Sequence, residues 1–159
     1  MNKPIEAICV LNENNIKGTI IFKEDLKNKD VIIKVNLQGL DYGLHGFHIH
    51  KYGDLSQGCT STCEHYNPYN KLHGGPDDSK NNRHVGDLGN IYSNKKKISK
   101  HIFRDKLIKL RGKYSIIGRA VVVHQDEDDL GKGNYKDSKT TGHAGKRLAC
   151  AVIGYSKNN

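Results

Sequence analysis

A two-residue rhythm constrains this chain more than any other feature. Val31, Ile33, Val35 and Leu37 alternate with Lys34, Asn36 and Gln38. Side chains two apart leave a strand on the same face, so this segment is a half-buried antiparallel strand. Similar short runs occur at 5–11, 17–22, 44–50, 86–91, 98–103, 115–123 and 148–154, with Gly, Asn and Asp between them, as in Leu40-Asp41-Tyr42-Gly43. No segment carries a sustained helical stripe. Short strands separated by turns predict an all-β sandwich or barrel. Two stretches break the rhythm, 51–85 and 125–146. Both are glycine-rich and charged, and loops of that length in a compact domain usually carry function or are disordered.

The 159 residues and 17.8 kDa fit one domain, 1–159, with no linker and no internal repeat. Residues 1–11 hold one lysine and a short apolar stretch without a small-residue cleavage site. They read as a first strand rather than a secretory signal, and a cytoplasmic protein is expected. No apolar run approaches the ~20 residues of a membrane span, so no membrane partner is expected. Lys plus Arg is 26 and Asp plus Glu is 17, a formal charge of +9 that attracts anions in general. Lysine supplies most of it, and no basic stretch is interleaved with aromatics. Lys95-Lys96-Lys97 reads as a turn tip, and nucleic acid is not an expected partner. Four cysteines, Cys9, Cys59, Cys63 and Cys150, are either idle reduced thiols or pair in one of three ways.

Nine histidines are many for this length, and they are not scattered. His48 and His50 lie two apart on a strand, so both leave one face and can grip one ion. His65, His73 and His84 lie in the first long loop, with Asp87 three residues beyond, and His124 closes the Val121-Val122-Val123 strand. Imidazole suits zinc and copper, and three imidazoles with one carboxylate suit tetrahedral zinc. Six histidines and one aspartate fill two four-coordinate sites only if one ligand is shared. An imidazolate bridging through both ring nitrogens supplies that eighth bond.

Several motifs resemble copper/zinc superoxide dismutases of the intracellular type. They are Gly46-Phe47-His48-Ile49-His50, His65-Tyr66-Asn67-Pro68, His73-Gly74-Gly75-Pro76 and Arg83-His84-Val85-Gly86-Asp87-Leu88-Gly89-Asn90. Gly118-Arg119 with Val122-Val123-His124, Asp128-Asp129-Leu130-Gly131-Lys132-Gly133 and Gly145-Lys146-Arg147-Leu148-Ala149-Cys150 complete the set. The resemblance runs in one order over nearly the whole chain. It implies a Greek-key β-sandwich or barrel of about eight antiparallel strands with two long functional loops. It also implies dismutation of superoxide to dioxygen and hydrogen peroxide. Copper would be held by His48, His50, His65 and His124, and zinc by His65, His73, His84 and Asp87, with His65 as the bridge. Asp128 would link His48 to His73 from behind. Arg147 would pair with the incoming anion, and His65 would pass a proton. A disulfide would join Cys59 to Cys150.

The resemblance further implies a homodimer, through Ile116-Ile117-Gly118, Gly53-Asp54 and the C-terminal strand, with Tyr52 and Tyr155 beside it, and a possible copper-loading chaperone. A metal-binding relative without activity, such as a chaperone domain or a copper decoy, is expected to lose a copper ligand or the arginine, and this chain keeps them all. Lys51 and Lys136 stand where acids are common in the family, which implies an altered steering field. The stretch from His73 to His84 is two residues longer than in familiar members. Cys63 is expected to be a small buried residue, His45 to make a structural hydrogen bond, and His101 and His143 to lie on the surface.

Overall fold

In the computed structural model, which describes residues 3–159, ten strands follow one another. They are β1 (Glu6–Glu13), β2 (Ile16–Asp25), β3 (Asp30–Gln38), β4 (Gly43–His50), β5 (Ser56–Cys59), β6 (Asp87–Ser93), β7 (Ile98–Asp105), β8 (Ala120–His124), β9 (Arg147–Val152) and β10 (Gly154–Tyr155). Nine of them form two antiparallel sheets, ordered β10-β1-β2-β3-β7 and β6-β4-β8-β9. β7 returns beside β3 after the chain has visited the other sheet, and β8 then crosses back to lie beside β4. This is the Greek-key sandwich that the alternation and the resemblance imply. The expected strand at residues 1–11 begins at Glu6, and Met1 and Asn2 lie outside the described residues. No described helix is long and apolar enough to cross a membrane.

The alternation sorts side chains between the two sheets. Phe22, Ile20, Ile33 and Leu37 from one sheet meet Phe47, Ile49, Val121 and Val123 from the other in a single core. Phe47 and Phe103 close it edge to face, 6.2 Å apart. β4 departs from simple alternation, because His45 to His50 are all buried. Phe47 and Ile49 face the core, while His48 and His50 face the two long loops folded over the sheet. Those loops make the outer face of β4 and β8 a second interior.

Three boundaries differ from the sequence reading. The strand expected over 115–123 begins only at Ala120. Residues 115–119 form a turn in which Arg119 N–H donates to the Ile116 carbonyl and Gly118 takes φ +84°. Ile116 is pulled fully into the core by that turn, so its side chain is not offered to a partner. The run 148–154 splits into β9 and β10: Ile153 N–H still donates to the Arg119 carbonyl in line with the β8–β9 pairing, and Gly154 and Tyr155 then pair with Ile8 and Ala7 of β1 in the other sheet. β5 was missed, since Ser-Gln-Gly-Cys carries no alternation.

Each long loop is organised by its own hydrogen bonds. Residues 125–146 hold one short helix, α1 (Ser138–Thr141), stopped by Gly142 at φ +70°. Residues 60–62 form a 3-10 turn. Lys95 to Lys97 form the expected turn tip, with Asn94 Oδ1 accepting from Lys96 and Ile98 N–H.

Candidate metal centre

β4 and β8 lie side by side with His48 opposite Val122 and Phe47 opposite Val123, which brings His124 at the end of β8 to the same face as His48 and His50. The first loop adds His65 by hydrogen-bonding onto the end of β4. Tyr66 N–H donates to the Ile49 carbonyl, and Gly86 N–H donates to the Tyr66 carbonyl. A Cβ at Gly86 would sit 2.1 Å from the Ile49 oxygen, so only glycine lets the loop come this close. Asp87, the first residue of β6, follows directly, and His73 and His84 close around it.

The seven residues form two four-membered sets, His48, His50, His65 and His124, and His65, His73, His84 and Asp87. Within each set, donor atoms lie within 4.8 Å of one another, and every member is buried. His65 belongs to both, as the ligand count requires. Its Nδ1 lies 2.8 Å from Asp87 Oδ1 on one side, while its Nε2 is buried with no hydrogen-bond partner on the other.

The second nitrogen of most rings is already engaged. His48 Nε2 lies 2.6 Å from Asp128 Oδ2, His73 Nε2 2.8 Å from Asp128 Oδ1, His50 Nδ1 2.7 Å from the Cys63 carbonyl and His124 Nδ1 3.2 Å from the Gly145 carbonyl. Their free nitrogens are left facing inward. Buried polar atoms without partners are rare in native proteins, yet His48 Nδ1 and His65 Nε2 are of this kind, and His73 Nδ1 lies 3.0 Å from Asp87 Oδ1 without hydrogen-bond geometry. His50 Nε2 and His124 Nε2 face one another at 3.4 Å. Three ring nitrogens, from His65, His73 and His84, converge at 2.8–3.0 Å on the single oxygen Asp87 Oδ1. Lone pairs gathered in this way fit two cations sharing one ring, so the donor set suits copper and zinc.

The electrostatics agree. Burial, followed by the charge of the His65 ring, pushes His48 and His50 well below the usual histidine value. Burial likewise takes His124 down to about 3 and lowers His65. These rings stay neutral with their lone pairs free for a metal. His73 moves the other way: burial opposes its charge, but Asp128 and Asp87 beside it raise it to about 9. Burial would raise Asp87, yet contacts with His65, His73 and His84 hold its carboxyl far below the usual range.

Asp128 bridges His48 and His73 as the resemblance implies, and its position is secured by residues that the sequence reading missed. Asn90 clamps its backbone, accepting from Asp128 N–H at 2.7 Å and donating to its carbonyl at 2.9 Å. At Gly142 a Cβ would fall 2.0 Å from Asp128 Oδ1 and 2.5 Å from His73 Nε2, so a side chain there would break the bridge. Neither role has a local sequence signal.

Arg147 is half-buried, and its charge is felt by His50 and His124. Its Nη1 donates to the Cys59 carbonyl at 2.7 Å and to Thr62 Oγ1 at 3.1 Å, the latter a second contact that was not foreseen. The Cys59–Cys150 disulfide is formed, across 91 residues of sequence. Cys9 is a buried free thiol, but Cys63 is exposed, contrary to expectation. Its backbone takes φ +61° and turns its carbonyl inward to His50, which leaves the side chain outside. His45 makes the expected buried contacts, with the His124 and Asp41 carbonyls, and His143 is exposed. His101 is only half-exposed, accepting from Tyr92 N–H.

Residues 16–153 match the copper/zinc superoxide dismutase (SODC) family. Superoxide dismutase [Cu-Zn] of Paramecium bursaria Chlorella virus 1 is 54% identical over 160 residues, covering 100% of this chain and 83% of the viral protein. Superoxide dismutase [Cu-Zn] 5 of Dictyostelium discoideum is 52% identical, covering 96% of this chain and 99% of its own. A crystal structure described as that of the clock protein EA4 superposes with a TM-score of 0.92 at 46% identity, over 98% of each chain. With this fold, this donor set and these relatives, the chain belongs to the copper/zinc superoxide dismutase family, enzymes that dismutate superoxide to dioxygen and hydrogen peroxide with copper and zinc as their metals.

Proposed function

We propose that copper is held by His48 Nδ1, His50 Nε2, His65 Nε2 and His124 Nε2, and zinc by His65 Nδ1, His73 Nδ1, His84 Nδ1 and Asp87 Oδ1. The observation that carries this is the division of labour within His48, His50, His73 and His124: one nitrogen anchored to protein, the other aimed at the shared centre. A bound copper ion supplies a one-electron couple, and a bound zinc ion supplies a redox-inert positive charge. Asp128 fixes the tautomer and orientation of His48 and His73 together, so the two halves of the centre share one support.

The overall reaction takes two superoxide anions and two protons to one dioxygen and one hydrogen peroxide. Arg147 draws the anion in. Its Nη1 is committed to Cys59 and Thr62, which fixes the guanidinium plane beside the copper histidines and leaves its outer edge for a small anion. His65 would pass the proton for peroxide formation at Nε2 when that nitrogen is not serving as a ligand, since Nε2 has no hydrogen-bond partner in the protein while the Nδ1 side of the ring is held against Asp87.

The chain works as a single domain, 1–159, and as a homodimer. Exposed Val10, Leu55, Val152 and Tyr155, with Tyr52 nearby in sequence, form the apolar surface suited to a second copy. Sedimentation giving a monomer at micromolar concentration would refute the dimer. A copper-loading chaperone is a further proposed partner, and a cytoplasmic location suits the exposed thiol of Cys63, which an oxidising compartment would modify.

The deciding experiment is direct superoxide decay at known copper and zinc content, for the parent, Arg147→Ala and Arg147→Lys. The parent should be fast in proportion to copper. Arg147→Ala should lose about tenfold or more with its metals retained, and Arg147→Lys should recover part of the loss. Slow decay of the parent with both sites filled would refute the assignment.

A further inference from the structure

A carboxylate lies against the disulfide. Glu13 ends β1, and the Asn14-Asn15 turn that follows, with both φ positive, is pinned to β9 by Asn14 Nδ2 donating to the Leu148 carbonyl at 2.7 Å. This places Glu13 Oε2 3.6 Å from Cys59 Sγ and 3.7 Å from Cys150 Sγ, where it also accepts from Cys150 N–H at 3.2 Å. Disulfide sulfurs carry no proton, so neither sulfur contact is a hydrogen bond in the oxidised protein. The N–H bond holds the carboxylate there, and the sulfurs take its field.

We propose that Glu13 makes the Cys59–Cys150 bridge a charge-selective site of thiol–disulfide exchange, reactive toward cationic and neutral thiols and protected from anionic ones. In the first step a reductant thiolate attacks one Sγ. A bond forms between the two sulfurs, the Cys59–Cys150 bond breaks, and its electron pair leaves on the other cysteine sulfur, which takes a proton from water. A second thiolate then releases the reductant as its own disulfide, leaving two protein thiols. During attack one negative charge spreads over three sulfurs in line. Because Oε2 touches both cysteine sulfurs, it opposes attack at either and departure of either. An anionic group on the reductant adds a further repulsion, and a cationic one offsets it.

The charges around the site make the proposal discriminating. Arg147 donates to the Cys59 carbonyl, and the whole chain carries +9. If those positive charges governed the approach, anionic thiols would react fastest. Glu13 predicts the reverse order.

The test uses the copper- and zinc-loaded protein and Glu13→Gln, which keeps the shape of the side chain and its acceptor for Cys150 N–H. Reduction by 2-mercaptoethylamine, 2-mercaptoethanol and 3-mercaptopropionate is followed by alkylation and mass spectrometry, with each rate expressed per thiolate. Glu13 and Cys150 line the groove of Val10, Leu55 and Val152 proposed above for a second copy, so the rates are followed over a dilution series: the order among reagents should sharpen as the dimer dissociates, and equal rates for all three in the dilute monomer overturn the proposal. In the parent the amine reagent should outpace the carboxylate reagent by roughly tenfold or more at low salt, and in Glu13→Gln the spread should collapse. A parent that favours the anionic thiol overturns the proposal, as does a spread that survives Glu13→Gln. Glu13→Gln should speed all three reagents, because the thiolate charge is common to them, but an equal factor for all three overturns the proposal, because the carboxylate then sets no order among them. Should the variant fail to fold, the parent alone decides: the spread must shrink toward unity at molar salt, and a spread indifferent to salt overturns the proposal.

Discussion

Four rings of the centre are held neutral by burial, and that has a consequence for the metal-free protein. His48, His50, His65 and His124 are depressed in the fold, His124 to about 3, whereas in the unfolded chain each takes up a proton near pH 6.5. Below that pH the unfolded chain binds more protons, so stability falls with falling pH, by about 1.4 kcal/mol per pH unit for each ring that remains neutral. His73, raised to about 9, acts in the opposite sense: its contribution is full below pH 6.5 and is lost as pH rises through 9. One such ring does not offset several. Urea unfolding of the metal-free protein should therefore show a steep loss of stability from pH 6.5 downward, and a flat profile would contradict neutral rings. With both metals bound stability should be higher throughout and its loss toward low pH no shallower, because ligation keeps the same rings, His73 included, free of protons in the folded state while the unfolded chain still takes protons up.

At the scale of elements, the centre depends on two loops being as well fixed as the strands they cover. The first is secured by Arg83, fully buried, whose Nη1 reaches Asp105 Oδ2 on β7 at 2.8 Å while its other nitrogens donate to the His84 and Val85 carbonyls. Arg83→Met should cost about 3–5 kcal/mol, since it leaves Asp105 buried without its counter-charge and frees carbonyls beside His84, a proposed zinc ligand. Urea unfolding reads that cost, and zinc content should fall with it; an unchanged midpoint would show the pair to be dispensable. The strands were legible in the sequence because one face of each meets a core and the other meets solvent, as in Val31 to Gln38. β4 was legible as a strand although both its faces are buried, since its two faces bury different chemistry, Phe and Ile on one and His on the other. The residues proposed to bind metal stand out by type and order, and the structure gathers them into two buried sets. Asn90, Gly142 and Thr62 do not stand out, because each works through a partner 38 or more residues away or through a side chain that is absent. Cys63 was misread for a related reason: its exposure follows from a positive φ, which no neighbouring residue announces.

For the whole molecule, net charge and local charge act at different ranges. The +9 total is expected to draw superoxide from a distance, steering of the anion being an established property of this enzyme class. Lys51 is paired with Glu64 at 2.9 Å, so part of the expected change at that position is neutralised nearby. The rate of superoxide decay should fall as salt rises through the range where the screening length drops below about 10 Å. A rate independent of salt would remove long-range attraction and leave Arg147 as the sole electrostatic contributor. The disulfide acts at this scale too. It closes a segment of 91 residues, a constraint on the unfolded chain worth about 4–5 kcal/mol. Cys59 is also the residue whose carbonyl fixes Arg147. Covalent maturation and the aim of the arm proposed to capture the anion thus converge on one position, so a chain could carry its full complement of metals and still be untuned until that bond had closed.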